Sequence, residues 1–294
     1  MADILFTADQ NYAVRIPAVV KSIQINHPGI EFTIHLICDE LPEDLTERLT
    51  LFCKSCGYAF HTYQVPDELF QDAPVNKHYS KAMYYRMLAG DILPKTIDRV
   101  LYLDPDLLII NSLMPLWNID LGDCIFAAAS HNMESGIVDS INNVRLDTSS
   151  SYFNTGVLLM DLEKCRRLVH PKDIFSMIDD SGKMLLLPDQ DVFNGLYGDM
   201  TLAIPDNIWN FDVRKFNQNL ILSGGAQDEY WIIRNTAVLH FCGKGKPWKP
   251  RYKYRFAGLY RHYERLCELD GWKIEEIISP AGSPEAEPEP EPNF

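Results

Sequence analysis

Short apolar runs alternate with amphipathic stretches through the first third of the chain. Residues 4–7, 31–37, 58–63 and 99–103 are brief and apolar or alternating, in the manner of strands. Residues 14–26, 43–56 and 80–90 instead carry apolar positions at helical spacing. This alternation predicts an α/β fold with a single, mostly parallel central sheet, because parallel strands need crossovers whose helices cover its faces. The second half is more mixed. Segments 124–129 and 156–160 read as buried strands, 161–168 and 189–197 as helices, and 236–241 as a last strand. Pro188 suits the opening of the second of those helices. Beyond Gly271 the apolar period stops, and the Pro/Glu tract 283–292 cannot bury a core. We therefore expect one catalytic domain over 1–270 and an acidic tail over 271–294, disordered or serving as a linker.

The strand-like run Leu101-Tyr102-Leu103 leads into Asp104-Pro105-Asp106. Proline pushes the residue before it into extended backbone, and residues two apart in extended chain point the same way. Both carboxylates can thus converge at the end of a parallel strand, where open α/β sheets seat their ligands. Two such charges are costly together unless a cation joins them. A solvated Asp-Pro turn is the simpler reading. Embedding between two apolar runs, the second being Leu107-Leu108-Ile109-Ile110, favours a divalent metal.

A second candidate is His240-Phe241-Cys242-Gly243-Lys244-Gly245-Lys246-Pro247-Trp248. Its glycines allow close backbone approach to an anion and its lysines add positive charge. The glycine spacing is not that of a Walker A loop. A strand-end histidine is commonly a hydrogen-bonded core residue, but an anion-suited loop directly after it favours a ligand role. Leu187-Pro188-Asp189-Gln190-Asp191 reads as helix entry, which accounts for Asp191 and leaves Gln190 unexplained. Phe153-Asn154-Thr155-Gly156 is a polar step before a buried strand.

Taken in order, these pieces resemble glycosyltransferase family 8. The likeness runs from about Asp3 to Trp248. It is carried by Thr7-Ala8-Asp9-Gln10-Asn11-Tyr12, His78 through Arg86, Val100 through Asp106 and Pro115-Leu116-Trp117 with Asp120-Leu121-Gly122-Asp123. Asn154-Thr155-Gly156, Asp189-Gln190-Asp191 with Asn194-Gly195-Leu196, and His240 through Trp248 complete it. The resemblance implies a GT-A fold and a hexosyltransferase that takes glucose or galactose from a UDP-sugar with retention of configuration. It also implies Mn²⁺, with Mg²⁺ as the alternative, held by Asp104, Asp106 and His240. Thr7, Asp9 and Asn11 would hold uracil and ribose, with Pro105 beside them, and Gly243 and Lys246 would meet the diphosphate. Arg86, Asn154 and Gly156 would surround the donor sugar, with Asp189, Gln190 and Asp191 as the catalytic group. Tyr12 and His78 would face the acceptor, a glycan, lipid-linked sugar or glycoprotein. His131 departs from the pattern, which has an acid there, so the hexose is left open.

Charge narrows the partners. Lys and Arg total 27 against 41 Asp and Glu, a net charge of −14, so a nucleic acid is not expected. Seven cysteines without regular spacing suggest reduced thiols, and Cys53-Lys54-Ser55-Cys56 lacks the second pair a zinc site needs. With no apolar run long enough to span a bilayer and no leader-like start, the expected location is cytoplasmic. Arg251, Lys253, Arg255 and Arg261, interleaved with Tyr252, Tyr254, Phe256, Tyr260 and Tyr263, fit peripheral membrane contact or a packed helix with snorkelling cations. His27, His35, His61, His170 and His262 read as structural or solvated. The competing readings are a metal-dependent nucleotidyltransferase and a noncatalytic sugar-binding module. The first needs a glycine-rich basic loop where Ala8-Asp9-Gln10-Asn11 stands, and the second needs no combined metal and diphosphate site. A dehydrogenase is disfavoured because no G-x-G-x-x-G follows a strand.

Overall fold

The computed structural model describes residues 1–66, 69, 82–130, 152–181 and 188–274. Ten strands lie among them: β1 (Ala2–Thr7), β2 (Phe32–Cys38), β3 (Ala59–Gln64), β4 (Arg99–Leu103), β5 (Leu107–Ile109), β6 (Phe126–Ser130), β7 (Phe153–Asp161), β8 (Thr201–Pro205), β9 (Phe211–Asp212) and β10 (Val238–His240). Seven form the central sheet in the order β3-β2-β1-β4-β7-β6-β8. It is mostly parallel, as expected, but β7 runs antiparallel to both β4 and β6. A second, smaller sheet of order β5-β10-β9, which the apolar pattern does not predict, stands beside it.

Strand parity builds the layers. In β4, Leu101 and Leu103 face one core while Val100 and Tyr102 face the other, and β7 repeats this with Val157 and Leu159 against Leu158 and Met160. Helices Ile16–Asn26 and Glu43–Ser55 cover the first face through Val19, Val20, Ile23, Leu45, Leu49 and Phe52. Helices Leu162–Leu168, Pro171–Ser181 and Pro188–Tyr197 cover the second, through Cys165, Ile174, Val192 and Phe193 among others. Burying each large apolar side chain contributes about 1.5–3 kcal/mol, which is why the strands read as nearly continuous apolar runs.

Two helical expectations are shifted. The segment expected at 14–26 starts at Ile16, after a separate turn of helix at Gln10–Ala13. The single helix expected at 80–90 is broken into Ala82–Tyr85 and Ala89–Ile92. The aromatic and basic C-terminal segment holds a helix, Ala257–Leu269, which buries Tyr260, Tyr263 and Cys267. Among the described residues no helix is long and apolar enough to cross a membrane.

Candidate active site at the end of β4

Pairing registers explain how distant residues meet. Because β7 runs against β4, the end of one lies beside the start of the other: Leu103 pairs with Val157, and the Asp104 N–H donates to the Gly156 carbonyl at 2.9 Å. The chain then passes into the small sheet, where His240 pairs with Leu107 and the Phe241 N–H donates to the Asp106 carbonyl at 3.1 Å. His240 also pairs with Asp212 on β9. Thus Asp104, Asp106 and His240, remote in sequence, are brought together by three strand ends. Ligating atoms of the three lie within 4.8 Å of one another. His240 Nε2 is 3.3 Å from Asp106 Oδ1 and 3.8 Å from Asp104 Oδ2. Adjacent ligands around a small divalent ion with bonds of about 2.1 Å sit about 3 Å apart, so the spacing suits one. Two carboxylates and an imidazole also suit a hard divalent ion better than thiolate-seeking metals.

Gly156 leaves room for this cluster. A Cβ there would fall 2.9 Å from Asp104 Oδ2 and closer still to the His240 ring, so any other residue would fill the space between the ligands. Asp106 is buried, and its Oδ2 accepts from the ammonium of Lys246, which also donates to the Phe241 carbonyl at 3.1 Å. Burial pushes the Asp106 carboxyl up, but His240 and Lys246 outweigh it and hold it well below the usual carboxylate range. Burial likewise disfavours charge on Lys246, and Asp106 more than restores it.

Asp104 has a different neighbourhood. Its Oδ1 accepts from the Tyr102 hydroxyl at 2.5 Å and lies 3.2 Å from Arg86 Nη1. Tyr102 also meets Thr7 Oγ1 at 3.1 Å, which ties the end of β1 to the end of β4. The Arg86 guanidinium lies over the Tyr102 ring and donates to the Thr155 carbonyl at 3.0 Å. Sequence reasoning missed Tyr102, although its position two residues before Asp104 signals a shared side of the strand.

The other candidate residues divide by place. Pro105 is buried between the two aspartates. Asp9 accepts from the Tyr12 N–H at 3.0 Å and so caps the short helix, while Asn11 is exposed. Tyr12 packs edge-on against Trp248, with ring centroids 6.1 Å apart, joining the first loop to the last. Burial raises the Tyr12 pKa, with Lys246, Asp106, Asp9 and Asp104 among the charges that reach it. Gly243 adopts φ 85° in the loop after β10, where a Cβ would meet Arg214 Nη1 at 2.5 Å. Arg214 is fixed by Asp212, to which it donates from Nε at 2.9 Å and Nη2 at 2.6 Å. Its cation beside the glycine-lysine loop was not legible in the sequence.

Asn194 docks the helix Pro188–Tyr197 onto β7: its Oδ1 accepts from the Phe153 N–H at 2.6 Å, and its Nδ2 donates to the Phe153 and Gln190 carbonyls. Gln190 is half-buried there. Asp191, by contrast, is fully buried and accepts from the Tyr152 hydroxyl at 2.7 Å, so its carboxylate faces the interior. His78 and His131 lie outside the described residues, as does the Asp189 side chain. His27 is structural, bonding the Ile23 carbonyl through Nδ1 and accepting from the Leu113 N–H through Nε2. All seven cysteines are free thiols.

The mostly parallel sheet thus ends in paired aspartates joined by a distant histidine, beside a glycine-lysine loop. The sequence model for glycosyl transferase family 8 matches residues 3–251, and the chain belongs to that family. General stress protein A of Bacillus subtilis is 26% identical over 88% of this chain and 92% of its own length. Lipopolysaccharide 1,2-glucosyltransferase of Escherichia coli K12 is 24% identical over 92% of this chain and 79% of its own. A crystal structure of the galactosyltransferase LgtC with donor and acceptor sugar analogues superposes with a TM-score of 0.75 at 26% identity, covering 92% of this chain and all 100% of that one.

Proposed function

We propose that this chain transfers glucose or galactose from a UDP-sugar to a hydroxyl of a surface glycan, lipopolysaccharide or glycoprotein, with retention at the anomeric carbon. The observation that carries this reading is the convergence of Asp104, Asp106 and His240 beside a glycine-lysine loop. The relatives that act on lipopolysaccharide support the acceptor class. Asp104, Asp106 and His240 would hold Mn²⁺, or Mg²⁺ in its place. When bound, that ion would supply Lewis-acid charge to the diphosphate as it departs.

Around it, the chain's own groups bind and orient. Thr7, Asp9 and Asn11 hold the nucleoside, and the Pro105 turn stands beside it. Gly243 admits the diphosphate to the backbone, and Lys246 with Arg214 adds positive charge there. Arg86, Asn154, Gly156 and Asp189 surround the sugar, and Tyr12 and His78 face the acceptor. Asp191 is read as anchoring Tyr152 rather than reacting. Gln190 is the residue beneath the anomeric carbon, and a carboxamide is a poor nucleophile beside the carboxylate of a retaining glycosidase. Front-face substitution follows. The anomeric C–O bond breaks with its electron pair going to the UDP β-phosphate, the acceptor oxygen bonds to the same carbon, and its proton passes to the departing phosphate oxygen.

The test is hydrolysis and transfer with UDP-glucose and UDP-galactose, with and without Mn²⁺. We expect cleavage of one donor that EDTA abolishes. If neither donor is cleaved and neither raises the melting temperature, the reading fails. Within the same assay, Asp106→Ala should lower kcat by about a hundredfold or more, and Gln190→Ala by far less. Equal collapse would point to a covalent role for residue 190.

A further inference from the structure

The His240 ring is held from behind by a chain of hydrogen bonds whose direction is fixed by its far end. A backbone N–H can only donate, and the Gly156 N–H points at Asn154 Oδ1 from 2.9 Å. That atom must therefore be the oxygen of the Asn154 amide. Asn210 approaches the same oxygen at 2.7 Å, so the group it offers must be its NH₂. Its other end, the carbonyl oxygen, is left facing His240 Nδ1 at 2.7 Å. An oxygen there requires a proton on Nδ1. In the neutral ring, the form a metal ligand takes, Nε2 then carries the lone pair, and Nε2 is the nitrogen that faces Asp106 and Asp104. Cys242 also stands against the ring, but a thiol can donate or accept and sets no direction.

We propose that Asn210, through Asn154 and the Gly156 N–H, is a positioning residue that locks His240 in the Nδ1–H tautomer a metal at Nε2 requires. This rests on the metal-site reading above. Asn210 is 3% exposed and His240 5%, so no solvent replaces the lost partner if either is changed. The Asn210 oxygen meets Nδ1, while Nε2 is the nitrogen that faces the two aspartates, so its reach to the ion site runs through the His240 ring. The helix turn Asp206–Trp209 and the start of β9 at Phe211 fix its backbone on both sides, and its N–H bonds the Asp206 carbonyl at 2.9 Å. Outer partners of this kind set ring orientation and ligand basicity.

The experiment titrates full-length wild type, Asn210→Leu and Asn210→Asp with MnCl₂, reading free Mn²⁺ by electron paramagnetic resonance. In parallel, long-range ¹⁵N–¹H spectra of histidine-labelled wild type are recorded with Cd²⁺ as a diamagnetic ion. We expect Nδ1 protonated and Nε2 bound in the wild type. Asn210→Leu should weaken Mn²⁺ binding about 10- to 100-fold, and Asn210→Asp, which keeps an acceptor for Nδ1–H but no longer donates to Asn154 Oδ1, should weaken it less than Asn210→Leu does. A loaded wild type with the proton on Nε2 overturns the proposal, and needs no variant to fold. So does an Asn210→Leu protein that binds Mn²⁺ as tightly as wild type. A wild type that ignores Mn²⁺ altogether overturns the metal reading itself, which separates the two failures.

Discussion

Asp106 and Lys246 are each buried, and each depends on the other for charge balance. Removing one member of such a pair leaves an uncompensated buried charge, worth about 3–5 kcal/mol. Asp106→Ala should accordingly lower the denaturant midpoint of the metal-free protein, whereas Asp106→Ala with Lys246→Met should regain most of the loss. Failure of the double variant to recover would mean that the ammonium finds other partners. The same pairing explains why an isolated lysine count misleads. Lys244 in the same loop is exposed, while Lys246 is drawn inward onto a carboxylate that the sequence places 140 positions away.

At the scale of elements, the strands that bury both faces were legible because both layers demand apolar residues. The helix Leu162–Leu168 was legible for a local reason as well: Asp161 accepts from the Lys164 N–H at 2.9 Å, the N-cap pattern. Its Oδ2 also meets the Lys164 ammonium at 3.2 Å. Asp161→Ala should cost about 1 kcal/mol, visible as a lower melting temperature with activity per folded molecule unchanged. Strand direction was not legible. Nothing in Val157-Leu158-Leu159-Met160 distinguishes antiparallel from parallel pairing, since both neighbours and both layers are apolar. Yet this one reversal sets Gly156 against Asp104. The small sheet was missed for a related reason: β10 was read as a last strand, but its partners β5 and β9 are three and two residues long, too short for a periodic signal. The aspartate pair and His240 could be proposed separately as ligands. Asn210 and Arg214 could not, because their roles arise only from the register that aligns β9 with β10.

Taken whole, the molecule is strongly acidic at −14, while Arg86 and Lys246 pair with the two aspartates after β4 and Arg214 stands beside the loop after β10. Net charge therefore argues against nucleic acid without arguing against a small diphosphate, whose field is set locally. The same balance shapes acid stability. Burial pushes the Asp212 carboxyl up, but the hydrogen bonds and charge of Arg214 outweigh that and hold it below the usual range. A depressed folded-state pKa contributes stability that is complete above the unfolded value of about 3.9 and is lost as pH falls through the lower folded value. The stability gap between wild type and Asp212→Asn should hence be widest near neutrality and close progressively below about pH 4. Thermal unfolding across that range measures it, and a gap that widens on acidification would contradict the assignment.

Ser130 at the end of β6 lies opposite Phe153 at the start of β7, one residue before Asn154. This end of the β6–β7 pairing lies on the rim that carries the aspartates. Backbone pairing closes this end of the ladder, so the sheet itself sets where Asn154 stands relative to Asp104 and His240.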